Sequence, residues 1–158
     1  MNPASRKTAM IGALLVLAIG VSASVAIVQR PAPSGPAIMV YKTATCGCCS
    51  KWIEHLKDHG FTVTAEDVTQ KELILLKRDA GVPQELGSCH TAIVDGYAIE
   101  GHVPADVILG FLEEHPKAVG LAVPGMPLGS PGMPSDVKEP YDVLQFNASG
   151  ETKVYTSH

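Results

Sequence analysis

Apolar positions recur along this chain with periods that switch between strand and helix, and each switch marks an element. Ile38-Met39-Val40-Tyr41 is a short β-prone run. From Cys49 onward Trp52, Ile53 and Leu56 recur at helical spacing, and Gly60 sits where a helix C-terminus favours glycine. Phe61 to Val68 alternates, with Phe61, Val63 and Ala65 on one face, and predicts a strand. Leu73 to Lys77 predicts a second, short helix closed by Gly81 and Pro83. Thr91 to Val94 predicts a strand, Asp95-Gly96 a hairpin turn and Tyr97 to Glu100 its return. Pro104 suits a first helical position, and Val107, Ile108, Phe111 and Leu112 line a helix ending near His115-Pro116.

The order is therefore βαβα, then a hairpin, then α. It predicts an α/β fold, a thioredoxin-like domain over residues 38–116 with its sheet covered by helices. After Pro116 the periodicity fails. Ala118 to Met133 is apolar but interrupted by Gly and Pro, and predicts neither helix nor regular strand. Tyr141 to Phe146 and Lys153 to Tyr155 then predict a β-hairpin around Asn147 to Gly150. Residues 117–158 thus read as a loop-rich C-terminal extension.

Residues 1–28 follow different rules. Arg6 and Lys7 give a basic start, Met10 to Val21 is strongly apolar, and Ser22, Ala23, Ser24 and Ala26 follow. That layout is a secretory signal peptide, with Val21-Ser22-Ala23 and Ser24-Val25-Ala26 as cleavage sites. The rival is an uncleaved anchor: Ala9 to Val28 carries no charge, and at about 1.5 Å per residue it just reaches across about 30 Å of hydrocarbon. Either places the functional domain outside the cytoplasmic membrane, periplasmic or anchored to the inner membrane facing the periplasm. Residues 29–37 read as a linker.

Composition narrows the function. The chain has 158 residues, 46% of them hydrophobic, and a formal net charge of −4. No Lys/Arg cluster marks a nucleic-acid face. No Gly-rich phosphate loop, no G-x-S-x-G and no paired-carboxylate pattern is present. What stands out is sulfur. Cys46-Gly47-Cys48-Cys49 places three of the four cysteines in four residues, where a strand meets a helix. Residues three apart share a helix face, and the helix N-terminus favours thiolate over thiol. Gly47 lets the backbone approach whatever the sulfurs hold.

Three interpretations follow. Structural disulfides suit an exported chain, either Cys46 with Cys49 or Cys48 with Cys89, but so short a loop gains little from closure. A dithiol oxidoreductase needs only Cys46 and Cys49. A soft-metal site uses all four, because thiolates select Cu(I), zinc or iron–sulfur clusters and adjacent cysteines suit bridging. Cys89, immediately before the third strand, would face the start of the first helix in a thioredoxin-like fold.

The stretches YKTATCGCCSKWIEHLKDHGF, GVPQELGSCHTAIVDGYAIEGHVPADVI, GLAVPGMPLGSPGMP and EPYDVLQF resemble the CopG-type copper-resistance proteins, small exported C-x-C-C proteins unrelated to the DNA-binding repressor of that name. The likeness runs from about Tyr41 to Phe146. It implies a thioredoxin-like domain with a C-terminal extension that helps bind metal, and a cysteine-bridged cluster of several copper ions beside the C-x-C-C turn. It also implies a role in copper oxidoreduction during detoxification. Cys46, Cys48, Cys49 and Cys89 match its cysteines, and the extension matches the region of Met126 and Met133.

Met126 and Met133 lie in two Pro-Gly-Met-Pro repeats, and thioether sulfur suits Cu(I). His90 follows Cys89 directly. Strand alternation turns it away from Cys89, which leaves a role as ligand or as support for one. His102 is a weaker candidate, and His55 and His59 read as a solvated helix face. The expected function is an exported, monomeric copper-binding protein that interconverts Cu(I) and Cu(II) in copper resistance, with other periplasmic copper-handling or efflux proteins as partners. The membrane is touched only through the N-terminal segment if uncleaved. Passive copper sequestration or delivery and metal-free thiol–disulfide exchange are the alternatives.

Overall fold

A computed structural model describes residues 35–158. The expected signal peptide or anchor, and most of the linker, lie outside the described residues. A single seven-stranded sheet organises the rest, with strands in the order β2-β1-β3-β4-β5-β6-β7. The strands are β1 (Ala37–Lys42), β2 (Thr62–Asp67), β3 (His90–Val94), β4 (Tyr97–Gly101), β5 (Gly120–Val123), β6 (Asp142–Phe146) and β7 (Thr152–Ser157). The helices are α1 (Gly47–Asp58), α2 (Gln70–Asp79) and α3 (Ala105–Glu114), with a 3-10 turn at Gln84–Leu86. β1 pairs with β2 in parallel and with β3 antiparallel, and β3–β4 is a hairpin. No described helix is long and apolar enough to cross a membrane.

Strand alternation sorts the core into two layers. Ile38, Val40, Ala92, Val94, Ile99, Leu121, Val123 and Val143 face one side, where Trp52, Ile53 and Leu56 of α1 and Ile108, Phe111 and Leu112 of α3 cover them. Ala98, Ala122 and Phe146 face the other side and pack with Val82 and Leu86. The helical spacing read along the chain is thus the buried stripe of α1 and α3.

α2 is longer than the expected Leu73–Lys77. It begins after Thr69, whose hydroxyl accepts the Glu72 N–H while the Glu72 carboxylate accepts the Thr69 N–H. This capping box recruits the whole first turn into the helix.

The segment from Ala118 to Met133 departs more sharply from expectation. Gly120 to Val123 is a regular strand, buried along its whole length and parallel to β4. A strand covered on both faces shows no alternation, so periodicity could not find it. Gly120 is there for contact: a Cβ would stand 1.8 Å from the Ala98 carbonyl oxygen. β5 carries the sheet past residue 116 into β6 and β7, which pair antiparallel. The chain beyond 117 is therefore built into the same compact unit as the preceding domain. Its loop, residues 124–140, is what reaches back toward α1.

Candidate metal centre

The site begins in the turn from β1 to α1. The Cys46 N–H donates to the Thr43 carbonyl at 3.1 Å, and Cys46 then stands at the N-cap of α1. No side chain caps this helix and no acidic residue lies in its first turn. Its free N–H groups and dipole therefore act on the sulfurs of Cys46, Cys48 and Cys49. Cys46 and Cys49 are joined as a disulfide, with Cα atoms 5.4 Å apart, whereas Cys48 and Cys89 are free. Cys48 Sγ lies 3.5 Å from Cys46 Sγ and 3.6 Å from Cys89 Sγ. The Cys49 sulfur lies 3.7 Å from the Cys89 carbonyl oxygen. All four sulfurs lie within 4.8 Å of one another. Cys46 and Cys49 could join Cys48 and Cys89 as ligands only when reduced.

Cys89 is held from behind by a buried ion pair. Glu100 on β4 is fully buried and pairs with Lys77 of α2. It also accepts the Thr91 hydroxyl and the Ser88 N–H, each at 2.5 Å. Ser88 in turn donates its hydroxyl to the Gly125 carbonyl at 2.7 Å. One buried carboxylate therefore fixes the residue before Cys89, and that residue ties down the C-terminal loop.

The loop brings sulfur of its own. Met126 Sδ lies 3.9 Å from Cys48 Sγ, with the side chain 51% exposed at the rim. Met133 is different. Its main chain closes a turn, with its N–H on the Ser130 carbonyl and its carbonyl accepting from Gly129. Its thioether makes no such sulfur contact among the described residues. Gly132 seats the loop on α1: a Cβ would stand 2.7 Å from the Cys48 carbonyl oxygen and 3.2 Å from Trp52.

The histidines change most from expectation. His90 Nδ1 lies 3.3 Å from Cys89 Sγ rather than turned away. Cys89 precedes the first residue of β3, so strand alternation does not govern the pair. His90 is fully buried, its ring 4.3 Å from that of Trp52 and 5.5 Å from that of His102. Its Nε2 is the only buried side-chain polar atom without a partner among the described residues. His102, the weaker candidate, is also fully buried and places Nε2 3.3 Å from Cys89 Sγ. Its Nδ1 meets Ser130 Oγ at 3.2 Å. Nothing periodic in the sequence marks Ser130 or ties it to His102. His55 is no solvated residue either: its Nε2 accepts the Ala105 N–H at 3.0 Å and caps α3.

Burial tunes these groups in one direction, toward neutrality. Burial, reinforced by neighbouring Cys48, pushes the Cys89 thiol up to about 12. Burial brings His102 down to about 4, and burial with nearby His102 and Lys77 holds His90 well below the usual imidazole range. In the metal-free pocket Cys89, His90 and His102 are thus held in their neutral forms near neutral pH. A soft cation arriving there replaces thiol protons rather than competing with ammonium-like groups.

Comparison with known proteins identifies the family. A family model described as "Protein of unknown function, DUF411" matches residues 86–133, the stretch from the 3-10 turn to Met133. No curated protein matches the chain. Two solved structures do, titled "Copper resistance protein copG- Form 1" and "Copper resistance protein copG- Form 2". The first is 45% identical and the second 46%; each has a TM-score of 0.72 and the match covers 78% of this chain and 98% of the other. At that identity, over almost the whole length of those structures, the chain belongs to the CopG-type copper resistance protein family.

Proposed function

We propose that this protein binds copper at the converging sulfurs and serves in copper resistance by interconverting Cu(I) and Cu(II). One observation carries the reading: four sulfurs from positions as distant as Cys46 and Cys89 lie within 4.8 Å of one another. Thiolates at such spacing bridge soft ions, and a thioether at the rim favours Cu(I) over harder cations. In its reduced form the protein offers Cys46, Cys48, Cys49 and Cys89 as ligands, enough for several bridged copper ions.

The order β2-β1-β3-β4, with a C-x-x-C pair opening α1, supports a thioredoxin-like reading of residues 38–116. The protein acts as an exported monomer, outside the cytoplasmic membrane, and passes copper to other periplasmic copper-handling or efflux proteins. Electrons move one per copper ion, to or from an external redox partner.

Anaerobic titration of the fully reduced protein with Cu(I), followed by voltammetry of the loaded form, tests this. The expected result is more than one copper per chain and at least two reversible redox states. A loaded protein that is redox-silent would leave only passive storage or delivery. The disulfide between Cys46 and Cys49 favours one competing function, metal-free thiol–disulfide exchange. That reading requires Cys48→Ser and Cys89→Ser to keep full disulfide reductase activity toward a protein substrate; the copper reading requires both to lose copper.

A further inference from the structure

The four cysteines form two pairs in different states. Cys46 and Cys49 are already joined, with Cα atoms 5.4 Å apart, and have no thiol electrons to give. Cys48 and Cys89 are free thiols, with their sulfurs 3.6 Å apart. Cys48 Sγ also lies 3.5 Å from Cys46 Sγ, but that sulfur is spent in the first disulfide. Cys89 is therefore the one free thiol beside Cys48 among the described residues. Two thiols in contact are a two-electron donor, because their oxidation to a disulfide releases two electrons and two protons.

Closure asks for a small movement. Bonded sulfurs stand about 2.05 Å apart, so the pair must approach by about 1.5 Å, on the scale of one side-chain rotation. Cys48 is the partner free to move. It is the second residue of α1, at a helix end with no side-chain cap. Cys89 is held on both sides: Glu100 accepts the Ser88 N–H before it, and His90 opens β3 after it. Both thiols are partly exposed, so an ion from solution can meet them. Met126 Sδ, 3.9 Å from Cys48 Sγ, offers a soft contact on the way in.

We propose that Cys48 and Cys89 are a dithiol that reduces Cu(II): the pair gives one electron to each of two Cu(II) ions and closes as a second disulfide. The S–H bonds of Cys48 and Cys89 break and one S–S bond forms. Two Cu(II) become two Cu(I), and two protons leave to solvent. The proposal rests on the copper reading above and names the electron source for one direction of the interconversion. It also gives each turn an end. With Cys46–Cys49 and Cys48–Cys89 both closed, every sulfur of the four-cysteine cluster is a disulfide sulfur, and no thiolate remains to hold a soft ion. Cu(I) therefore leaves the cysteines as it is made.

The test uses the full chain with its Cys46–Cys49 disulfide intact, confirmed by counting two free thiols. Cu(II) is added anaerobically in the presence of a chromogenic Cu(I) chelator. The expected result is loss of both thiols, with two Cu(I) captured per chain. Peptide mapping without reductant should find Cys48 linked to Cys89 in a monomer, and the rate per chain should not depend on protein concentration. Cys48→Ser and Cys89→Ser each leave a thiol without a partner in its own chain. Both should slow Cu(I) production about 10-fold or more, and what remains should rise with protein concentration as chains pair. If Cu(II) binds and both thiols still titrate after the copper is removed, the proposal is overturned and the copper reading survives. A disulfide mapped to any other pair, or between chains of the unsubstituted protein, also overturns it. If neither the disulfide form nor the fully reduced protein binds or reduces copper, both fall.

Discussion

Replacing Gly132 with alanine isolates the contact that seats the C-terminal loop on the site. Gly132 has φ +93°, in the region where an L residue pays about 1–2 kcal/mol. Its added Cβ would also stand 2.7 Å from the Cys48 carbonyl oxygen, about 0.6 Å inside the usual carbon–oxygen contact of about 3.3 Å. The other neighbours, the Trp52 amide nitrogen and Cβ at 3.2 Å, belong to the body of α1 and cannot swing aside. Overpacking of this kind costs about 1–3 kcal/mol, so the loop should lose about 2–5 kcal/mol of docking energy. Gly125→Ala is the control. Its φ is +71°, yet no atom lies within 4 Å of the added Cβ, so only about 1–2 kcal/mol of backbone strain applies. Hydrogen exchange at the Ser130 and Met133 amides, both bonded within the loop, reads the difference directly. Protection should fall by between about 30-fold and 3000-fold in Gly132→Ala, at about 1.4 kcal/mol per tenfold, and Cu(I) affinity should fall with it. Equal protection in the two variants, within about 0.5 kcal/mol, would refute the claim that this contact clamps the loop.

Two further expectations concern the buried polar groups. Glu100→Gln leaves Lys77 facing a neutral amide in a buried setting and should cost about 3–5 kcal/mol in urea unfolding. Much of that loss should return on adding Lys77→Met, and a cost below about 1 kcal/mol would contradict the anchoring role. In the metal-free protein, His102 takes up its proton only near pH 4, whereas the unfolded chain does so near 6.5. The unfolded state thus binds more protons in that window, and stability should fall as pH drops from about 6.5 toward 4, by about 3 kcal/mol in total from this residue. His90 acts with the same sign. Urea midpoints at pH 7.5 and 4.5 should therefore converge in His102→Gln relative to wild type; parallel pH slopes would count against the assignment.

Much of the fold could be read from spacing because spacing is what a half-buried element imposes. Trp52, Ile53 and Leu56 recur because α1 shows one face to the sheet, and the Asp95-Gly96 turn is chemically specific. The signals that failed were those without a period. β5 is buried on both faces and four residues long, so it looked like more of the Gly/Pro-rich loop around it. The capping box of Thr69 and Glu72 was visible as a T-x-x-E pattern, and it lengthens α2 where apolar spacing alone stops at Leu73.

For the site, the sequence by itself determined the ligand chemistry. Cys46, Cys48 and Cys49 are close because four consecutive residues at a helix start have no room to be apart. Only the tertiary structure decided the rest. Cys89 joins them because β3 lies beside β1 in the sheet, and because Glu100 and Lys77 pin the residue before it. His102 and Ser130 join because β4 returns beside β3 and the loop folds over α1 through a position that admits only glycine. Met126 reaches Cys48, whereas Met133, in the same repeated motif, turns its main chain inward instead. Identical local sequence meets different surroundings there, and a side chain's role as a ligand depends on what the fold places within bonding distance, which no local pattern encodes.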